Sequence, residues 1–304
     1  MIEVQRAGLC DLVMDLGRPG RGALGVPAGG AADPAALAAA NRLVGNDAAA
    51  AGLEITLSGP MLRFPAGGVA ALTGARFAAA RSSGTAVTWN ETLVLAAGET
   101  LSLDQAQEGW RCWLALRGGL AVPQVMDSRS TLLPAGFGGH LGRALQPGDA
   151  LPCEPGAGEV RLLRASPPSG EPDAPLRVVA GPQAGLFDDT GLAAFFAGTY
   201  RVDASSDRRG LRLTGPAVTT HARVELASQG VLPGVVQIPP DGRPIILGWD
   251  GPVTGGYPVI AGVIAADLPR LAQLRPGDAV RFITIELEAA RDLAAANWKF
   301  EELG

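Results

Sequence analysis

Frequent turn residues between short apolar runs are the feature that most constrains how this chain can fold. The 304 residues include 42 glycines and 24 prolines, which favour tight turns and interrupt helices. Several of the runs between them alternate apolar and polar residues, as at 53–57. This spacing is typical of an antiparallel β-barrel or sandwich rather than of βαβ units. We therefore predict a mainly β fold with a few short helices.

Composition and charge narrow the possible functions. Hydrophobic residues make up 47% and charged residues 18% of the chain, with a net charge of −5, which suits a large core and disfavours a nucleic-acid or membrane partner. We expect a cytoplasmic protein, because no leader or bilayer-length apolar run is evident. Three scattered cysteines and two histidines lack metal-ligand spacing, so no metal site is predicted.

Two helices stand out from the strand pattern. Asp33 followed by Pro34 predicts the start of a helix over 34–44, with Asp33 as the N-cap. A glycine- and arginine-rich segment precedes it, so a ligand anion at the helix N-terminus and a merely well-capped helix are both open interpretations. An amphipathic pattern predicts a terminal helix over 288–303.

The chain divides into two predicted domains. Residues 166–175 are rich in proline and serine and lack periodicity, which is typical of a linker. We predict a first β-barrel subdomain over 1–165 and a second over 176–304, the latter ending in the terminal helix. LQPGDAL at 145–151 and LRPGDAV at 274–280 repeat one turn-then-strand pattern. Two units of related design are therefore a reasonable hypothesis.

The strongest candidate site lies within residues 237–258. A short apolar strand at 245–247 is followed by turn residues that include Asp250. Thr254, Gly255 and Gly256 come next, and paired glycines let a backbone approach a ligand closely. A carboxylate, a hydroxyl, backbone amides and an aromatic ring thus fall on one loop, as in many small-molecule sites. Ordinary turns that only connect strands remain the alternative.

A resemblance to a known family runs through almost the whole chain. The chain resembles the biotin-dependent carboxyltransferase or allophanate hydrolase subunit 2 family. The matching segments include DLGRPG at 15–20, GAAD at 30–33, NRLVGN at 41–46, LEITLSGP at 53–60, SRST at 128–131, GGHLGR at 138–143, GPQ at 181–183, DRRGLRL at 207–213 and TGGYP at 254–258.

The resemblance implies two cyclophilin-like β-barrel subdomains with a cleft between them that binds a small amide, lactam or ureido compound. It further implies a hydrolase subunit that is active only with partners, in the ATP-dependent opening of the lactam 5-oxoproline to glutamate. The implied partners are a B-like protein of the allophanate hydrolase subunit 1 family and an A-like protein of the same complex. Alternatives are a carboxyltransferase that uses biotin on a separate carrier with a urea-like acceptor, and a non-catalytic regulator that binds a kinase inhibitor.

Site roles follow from residue type within this resemblance. We expect Asp250 to act as a base or to orient a ring N–H, Gln237 to bind the amide, and Thr254 to donate to a developing oxyanion. The expected substrate-binding residues are Gly255, Gly256, Tyr257, Arg208, Arg18, Asp33 and Asn41. ATP or biotin chemistry needs a partner chain, since no P-loop is present and the single lysine, Lys299, lies in the predicted terminal helix.

Overall fold

The computed structural model describes residues 1–168, 173–221, 226–293 and 298–303. As predicted, the fold is mainly β with a few short helices. The chain separates into two compact units. The first comprises Met1–Arg18, Gly29–Pro168 and residues 298–303, and the second comprises Pro19–Ala28 and the described residues between 173 and 293.

The strands and helices are short. The strands, in chain order, are β1 (Ile2–Arg6), β2 (Cys10–Met14), β3 (Gly52–Thr56), β4 (Met61–Phe64), β5 (Gly68–Gly74), β6 (Phe77–Arg81), β7 (Thr92–Leu95), β8 (Glu99–Ala106), β9 (Arg111–Leu116), β10 (Ala150–Leu151), β11 (Leu163–Ser166), β12 (Leu176–Ala180), β13 (Tyr200–Val202), β14 (Gly210–Thr214), β15 (Gln229–Gly230), β16 (Val235–Gln237), β17 (Ile245–Leu247), β18 (Thr254–Gly255), β19 (Val259–Val263), β20 (Ala279–Val280), β21 (Phe282–Thr284) and β22 (Lys299–Glu302). The α-helices in the described residues are α1 (Pro34–Leu43), α2 (Asp189–Ala197), α3 (Leu268–Leu271) and α4 (Leu287–Asp292).

The first unit consists mainly of two five-stranded antiparallel sheets. Their strand orders are β10-β1-β4-β8-β6 and β2-β3-β9-β5-β7. Alternate residues of both sheets point into one shared core, to which β4 contributes Leu62 and Phe64 and β9 contributes Cys112 and Leu114. Strand β4 alternates between buried and partly exposed residues, as expected of a strand covered on one face, whereas β9 is buried throughout because α1 packs on its other face.

Helix α1 confirms the prediction for residues 34–44 to within one residue. Asp33 is the N-cap, and its carboxylate accepts a hydrogen bond from the Ala36 backbone N–H at 3.0 Å, with Pro34 in the first turn. Small residues on the buried face allow close packing, and Ala40 and Leu43 share a cluster with sheet residues Ala71 and Ala115. Capping and packing together account for this helix.

The second unit is built on one eight-stranded sheet that nearly closes on itself. Its order is β20-β13-β14-β17-β16-β19-β12-β21. The two outermost strands, β20 and β21, are separated in the chain by one residue, Arg281, so the sheet is barrel-like. Stacked aromatic rings fill part of its core, with the ring centroids of Phe195 and Phe282 at 4.4 Å.

The repeated PGD turn is built alike in both units. In the first, Gly148 has φ 91°, Asp149 caps the Gln146 N–H through its carboxylate at 2.7 Å, and β1 pairs with the turn through Val4. In the second, Gly277 has φ 93° and the Asp278 carboxylate caps the Arg275 N–H at 2.7 Å, with Val202 of β13 in the equivalent place. The shared turn supports the hypothesis of two units of related design.

The prediction of a terminal helix over 288–303 was wrong. Helix α4 spans Leu287–Asp292, residues 294–297 lie outside the described residues, and β22 follows. Strand β22 pairs antiparallel with β11, Leu163 opposite Glu302 and Ser166 opposite Lys299. Backbone pairing with a distant strand thus overrides the local helical pattern, and Lys299 lies on a strand.

The predicted contiguous domains also need correction. Residues 19–28 cluster with the second unit although they lie within 1–165, and β22 belongs to the first unit although it lies within 176–304. Ser166 of the predicted linker 166–175 is the last residue of β11, and residues 169–172 of that linker lie outside the described residues. The cause is the same in each case, since packing partners far apart in sequence leave no local signal.

Candidate functional site

The loop after β17 holds the predicted site residues of the second unit. The predicted strand at 245–247 is confirmed as β17, which pairs with β14 on one side and β16 on the other. The turn that follows is tied to the 207–210 turn by backbone bonds, from the Gly248 N–H to the Arg209 carbonyl at 2.9 Å and from the Asp250 N–H to the Arg208 carbonyl at 3.1 Å. The loop therefore leaves the barrel in a fixed direction.

Asp250 and Arg208 form a buried, two-point ion pair. The Arg208 Nε donates to Asp250 Oδ2 at 2.8 Å, and Nη2 donates to Oδ1 at 3.1 Å. The Asp250 side chain is 0% exposed. Such bidentate pairs fix geometry strongly, so the structure places these two predicted residues together and against each other. This arrangement favours the orienting role for Asp250 over that of a base.

Strand β18 carries Thr254 and Gly255 past the turn. It pairs antiparallel with β15, with Gln229 opposite Gly255 and Gly230 opposite Thr254. Thr254 is exposed, and Tyr257 is 45% exposed. The hydroxyl and the aromatic ring of this segment are thus both accessible from solvent.

Gln237 lies at the end of β16 with its side-chain amide against Gly255. A Cβ atom on Gly255 would lie 2.5 Å from Gln237 Nε2, so a larger residue there would displace the Gln237 amide. Gln237 is 4% exposed, and its Nε2 finds no hydrogen-bond partner among the described residues. Buried amide donors without acceptors are rare and destabilising. The Gln237 Nε2 is therefore a buried donor with unused hydrogen-bonding capacity.

Two further glutamines, which our sequence reasoning did not select, lie beside the same segment. The Gln183 Nε2 donates to Gln229 Oε1 at 3.2 Å, and the Gln229 Nε2 donates back to Gln183 Oε1 at 3.0 Å. The Gln183 Oε1 also accepts from the Val259 backbone N–H at 3.1 Å. The sequence signal for Gln183 was the GPQ motif at 181–183, because the motif alone gives its glutamine no structural role.

A cavity of about 550 Å³ opens next to this loop within the second unit. One wall comes from the glycine-rich segment 20–28 and another from residues 248–254, including Trp249 and Thr254. The lining is largely apolar, with Arg21 contributing a guanidinium group. The glycine- and arginine-rich segment before α1 therefore forms one wall of this cavity in the second unit.

Three other predicted binding residues lie in the first unit and serve its structure. Arg18 is 1% exposed; its guanidinium donates to the Ser130 carbonyl and lies over the Phe137 ring at 5.0 Å. Asn41 is 0% exposed; its Nδ2 donates to the carbonyls of Ala48 and Ala50. Asp33 caps α1, and burial raises the pKa of its carboxyl to about 6.

The family motifs of the first unit form one saturated network around Asp15. The Asp15 carboxylate accepts from the Ser128 hydroxyl at 2.7 Å, the Ser130 hydroxyl at 2.5 Å and the Arg129 backbone N–H at 2.5 Å. It also accepts from the Gly17 N–H at 2.8 Å. The DLGRPG and SRST motifs are therefore bound to each other, and each of these polar groups stabilises the turn it comes from.

Asp11 is a buried carboxyl in the core of the first unit. Its Oδ2 accepts from the Gly8 N–H at 2.6 Å, whereas Oδ1 has no partner among the described residues. Burial raises the pKa of Asp11 to about 7, against the smaller lowering by the Gly8 N–H and by Arg6. The carboxyl is therefore substantially protonated near neutral pH.

The described part of the chain lacks two other kinds of site. No group of three or more histidine, cysteine or acidic side chains is placed to hold a metal ion there. No helix within those residues is both long and apolar enough to cross a bilayer.

Comparison with known proteins agrees with this architecture. The fold defines a mainly β protein of two units, the second of which has a barrel-like sheet and carries a loop lined with amide groups. The chain belongs to the carboxyltransferase domain family, described as subdomain A and B, whose family model matches residues 24–284.

Relatives of known name cover nearly the whole chain. It is 40% identical over 297 residues to the 5-oxoprolinase C subunit of Escherichia coli, which spans 95% of this chain and 93% of that protein. It is 34% identical to the 5-oxoprolinase C subunit of Haemophilus influenzae, over 94% of this chain and 91% of that protein. It is also 31% identical to urea amidolyase of Lachancea kluyveri, of which it covers 17%.

Solved structures show the same fold. The urea amidolyase of K. lactis matches with a TM-score of 0.85 at 31% identity, over 95% of this chain and 19% of that one. The structure of TTHA0988 matches with a TM-score of 0.83 at 37% identity, over 93% of this chain and 55% of that one. The chain thus corresponds to one part of those longer proteins.

Proposed function

We propose that this chain is the C-type subunit of a cytoplasmic, ATP-dependent complex that opens the lactam 5-oxoproline to glutamate. Two proteins named as the C subunit of 5-oxoprolinase align with it over more than nine-tenths of both lengths. The alternative relatives, the urea amidolyases, are much longer than this chain. The higher identity to the C subunits, 40% and 34% against 31%, favours the 5-oxoprolinase assignment.

The geometric observation that carries the proposal is the unused amide of Gln237. A buried donor that lacks an acceptor gains most from a ligand carbonyl. A lactam carbonyl at Gln237 Nε2 would satisfy it and place the ring beside Gly255 and Gly256, which have no side chains to obstruct it. Because the donor is fixed before the ligand arrives, it stabilises charge that develops on the carbonyl oxygen without reorganisation.

The neighbouring residues have supporting roles in the proposal. The exposed Thr254 hydroxyl donates to the reacting group, and the half-exposed Tyr257 ring forms a wall of the site. Asp250 and Arg208 act as positioning residues, since their buried pair holds the loop that presents Thr254. Arg18, Asn41 and Asp33 are not carried into the proposed site, because their polar groups are used within the first unit.

In this proposal ATP is bound with a partner subunit. The cavity beside the loop has one guanidinium group, from Arg21, in a largely apolar lining, which does not suit a triphosphate. We therefore propose that ATP is bound with the B-like partner and that the A-like protein completes the hydrolysis. This chain contributes recognition and orientation of the lactam.

The test is reconstitution with those partners. The complex should hydrolyse ATP faster when 5-oxoproline is present, and glutamate should accumulate in step with ADP. The same partners without this chain provide the control. An assembled complex whose ATP hydrolysis is indifferent to 5-oxoproline would contradict the proposal.

A second candidate is a carboxyltransferase that acts on a urea-like acceptor. The TM-score of 0.85 with a urea amidolyase favours it. This activity would need biotin on a separate carrier, and avidin would abolish it. Lactam-dependent hydrolysis that persists in the presence of avidin would exclude this candidate.

A further inference from the structure

The side-chain amides of Gln183 and Gln229 form a two-bond pair of the kind that a lactam forms with a primary amide. Each side chain donates one N–H to the other and accepts one in return, at 3.2 and 3.0 Å. The pair is half-buried, so one edge remains within reach of solvent. Such a ring of two hydrogen bonds requires that each partner present a donor and an acceptor on the same edge.

A lactam presents that same edge. Its ring holds the amide cis, so the N–H and the C=O point to one side. An open-chain secondary amide is almost always trans and turns these groups to opposite sides. A five-membered lactam can therefore replace one glutamine of the pair bond for bond, whereas a peptide cannot.

Gln183 is the fixed member of the pair. Its Oε1 accepts from the Val259 N–H at 3.1 Å, and its own backbone N–H donates to the Val259 carbonyl at 3.3 Å. Gln229 lies on the two-residue strand β15 opposite Gly255. The contacts thus orient the Gln183 amide independently of Gln229.

The unused side-chain donor of Gln237 lies against the segment 255–259, which Gln183 also contacts. Gln237 is the strand partner of Val259, and its Nε2 packs against Gly255. A carbonyl oxygen has two lone pairs and accepts two hydrogen bonds. The amides of Gln183 and Gln237 are thus both held against the segment 255–259.

We propose that Gln183 recognises the cis-amide edge of the lactam and that Gln229 occupies its place until the ligand displaces it. This inference rests on the proposed function and adds Gln183 and Gln229 to the residues proposed for it. The exchange breaks two hydrogen bonds and makes two. It therefore adds little cost to binding, and the bond to Gln237 is a net gain.

The experiment measures ligand binding to the reconstituted complex by calorimetry. Gln183→Glu keeps the size of the side chain but replaces the donor with a carboxylate, so the affinity for 5-oxoproline should fall at least about tenfold. Gln229→Ala removes the competitor, so affinity should stay the same or rise. Gln124→Glu, at an exposed position of the first unit, is the matched control.

Ligand chemistry gives an independent readout. N-methyl-5-oxoproline lacks the N–H, and N-acetylglycine has a trans amide, so both should bind much more weakly than 5-oxoproline. The cyclic urea imidazolidin-2-one has the same cis edge and should bind. Its affinity relative to 5-oxoproline distinguishes a lactam from a ureido ring as the natural ligand.

The results separate this inference from the proposed function. Equal binding of the N-methyl compound, an equal loss in both glutamine variants, or unchanged affinity in Gln183→Glu would overturn the inference even if lactam-dependent turnover is normal. Binding that depends on Gln183 in a complex without turnover would instead contradict the proposed function and leave the recognition intact. Opposite effects of the two variants support the inference.

Discussion

The Asp15 network in the first unit and the Gln237 loop in the second unit are alike in sequence but differ in structure. Both are polar, glycine-rich and part of the family resemblance. The Asp15 carboxylate accepts four hydrogen bonds from its own turn and from the SRST motif, whereas the Gln237 amide donor is buried without an acceptor among the described residues. The two regions therefore differ in whether the central polar group uses its hydrogen-bonding capacity, a difference that their sequence motifs do not reveal.

The largest expected effect tests the unsatisfied side of this comparison. Gln237→Leu should lower kcat/KM for lactam-dependent ATP hydrolysis about a hundredfold, because the donor to the carbonyl is lost. The melting temperature should hold or rise, since a buried unpaired amide is removed. Steady-state kinetics and thermal unfolding measure both, with Gln124→Leu as control. A stability loss with normal kinetics would make Gln237 structural.

Asp15→Ala tests the saturated side. It leaves two hydroxyls and two backbone N–H groups without their acceptor, so we expect the free energy of unfolding to fall by about 3 kcal/mol. Activity per folded molecule should change little. Denaturant unfolding measures the loss, and Asp47→Ala, an exposed turn carboxylate, should have a small effect. Full stability with lost activity would reverse the comparison between the two regions.

Asp250→Asn sharpens the comparison within the loop itself. If Asp250 positions the loop through Arg208, kcat/KM should fall about tenfold and the pH profile should keep its shape. Asp207→Asn is the control, because Asp207 makes an exposed ion pair with Arg209 on the same turn. Complete loss of activity with disappearance of the acidic limb would show that Asp250 is a base.

The smallest effect concerns stability in the first unit. The pKa of Asp11 is raised to about 7 in the folded protein, so the protonated carboxyl contributes stability that is fully present below about pH 4. This contribution is lost as the pH rises through 7. Asp11→Asn mimics the neutral acid and should raise the melting temperature by about 3 °C at pH 8 and hardly at pH 4. Asp104→Asn, at an exposed ion pair, should show no such difference.

Local patterns predicted those elements whose causes are local. The cap at Asp33 and the strand β17 both follow from neighbouring residues. Thr254 and Gly255 were expected on a loop but lie on β18, because they pair with residues 229–230. The pairing of β22 with β11 was not predicted, because strand partners more than a hundred positions apart leave no periodic signal.

The site residues also divide into those that a local pattern predicted and those that it did not. Gln237, Asp250 and Thr254 could be selected from one segment, but the partner of Asp250 is on another turn, and Gln183 and Gln229 meet only in the folded chain. Arg18 and Asn41 have the residue types of a ligand site, and only their burial shows that they serve the fold. Residue type indicates which contacts a side chain can make. Its neighbours in the folded chain determine whether it can make them with a ligand.

The path of the chain between the two units has a consequence for synthesis on the ribosome. Residues 19–28 leave the first unit early and join the second, and β22 returns to the first unit at the far end. Because β11 obtains its partner only after Glu302 has been made, the first unit is completed only after the second has been synthesised. Cutting the chain near residue 168 would therefore leave both halves incomplete, since each unit contains residues from the other side of that position.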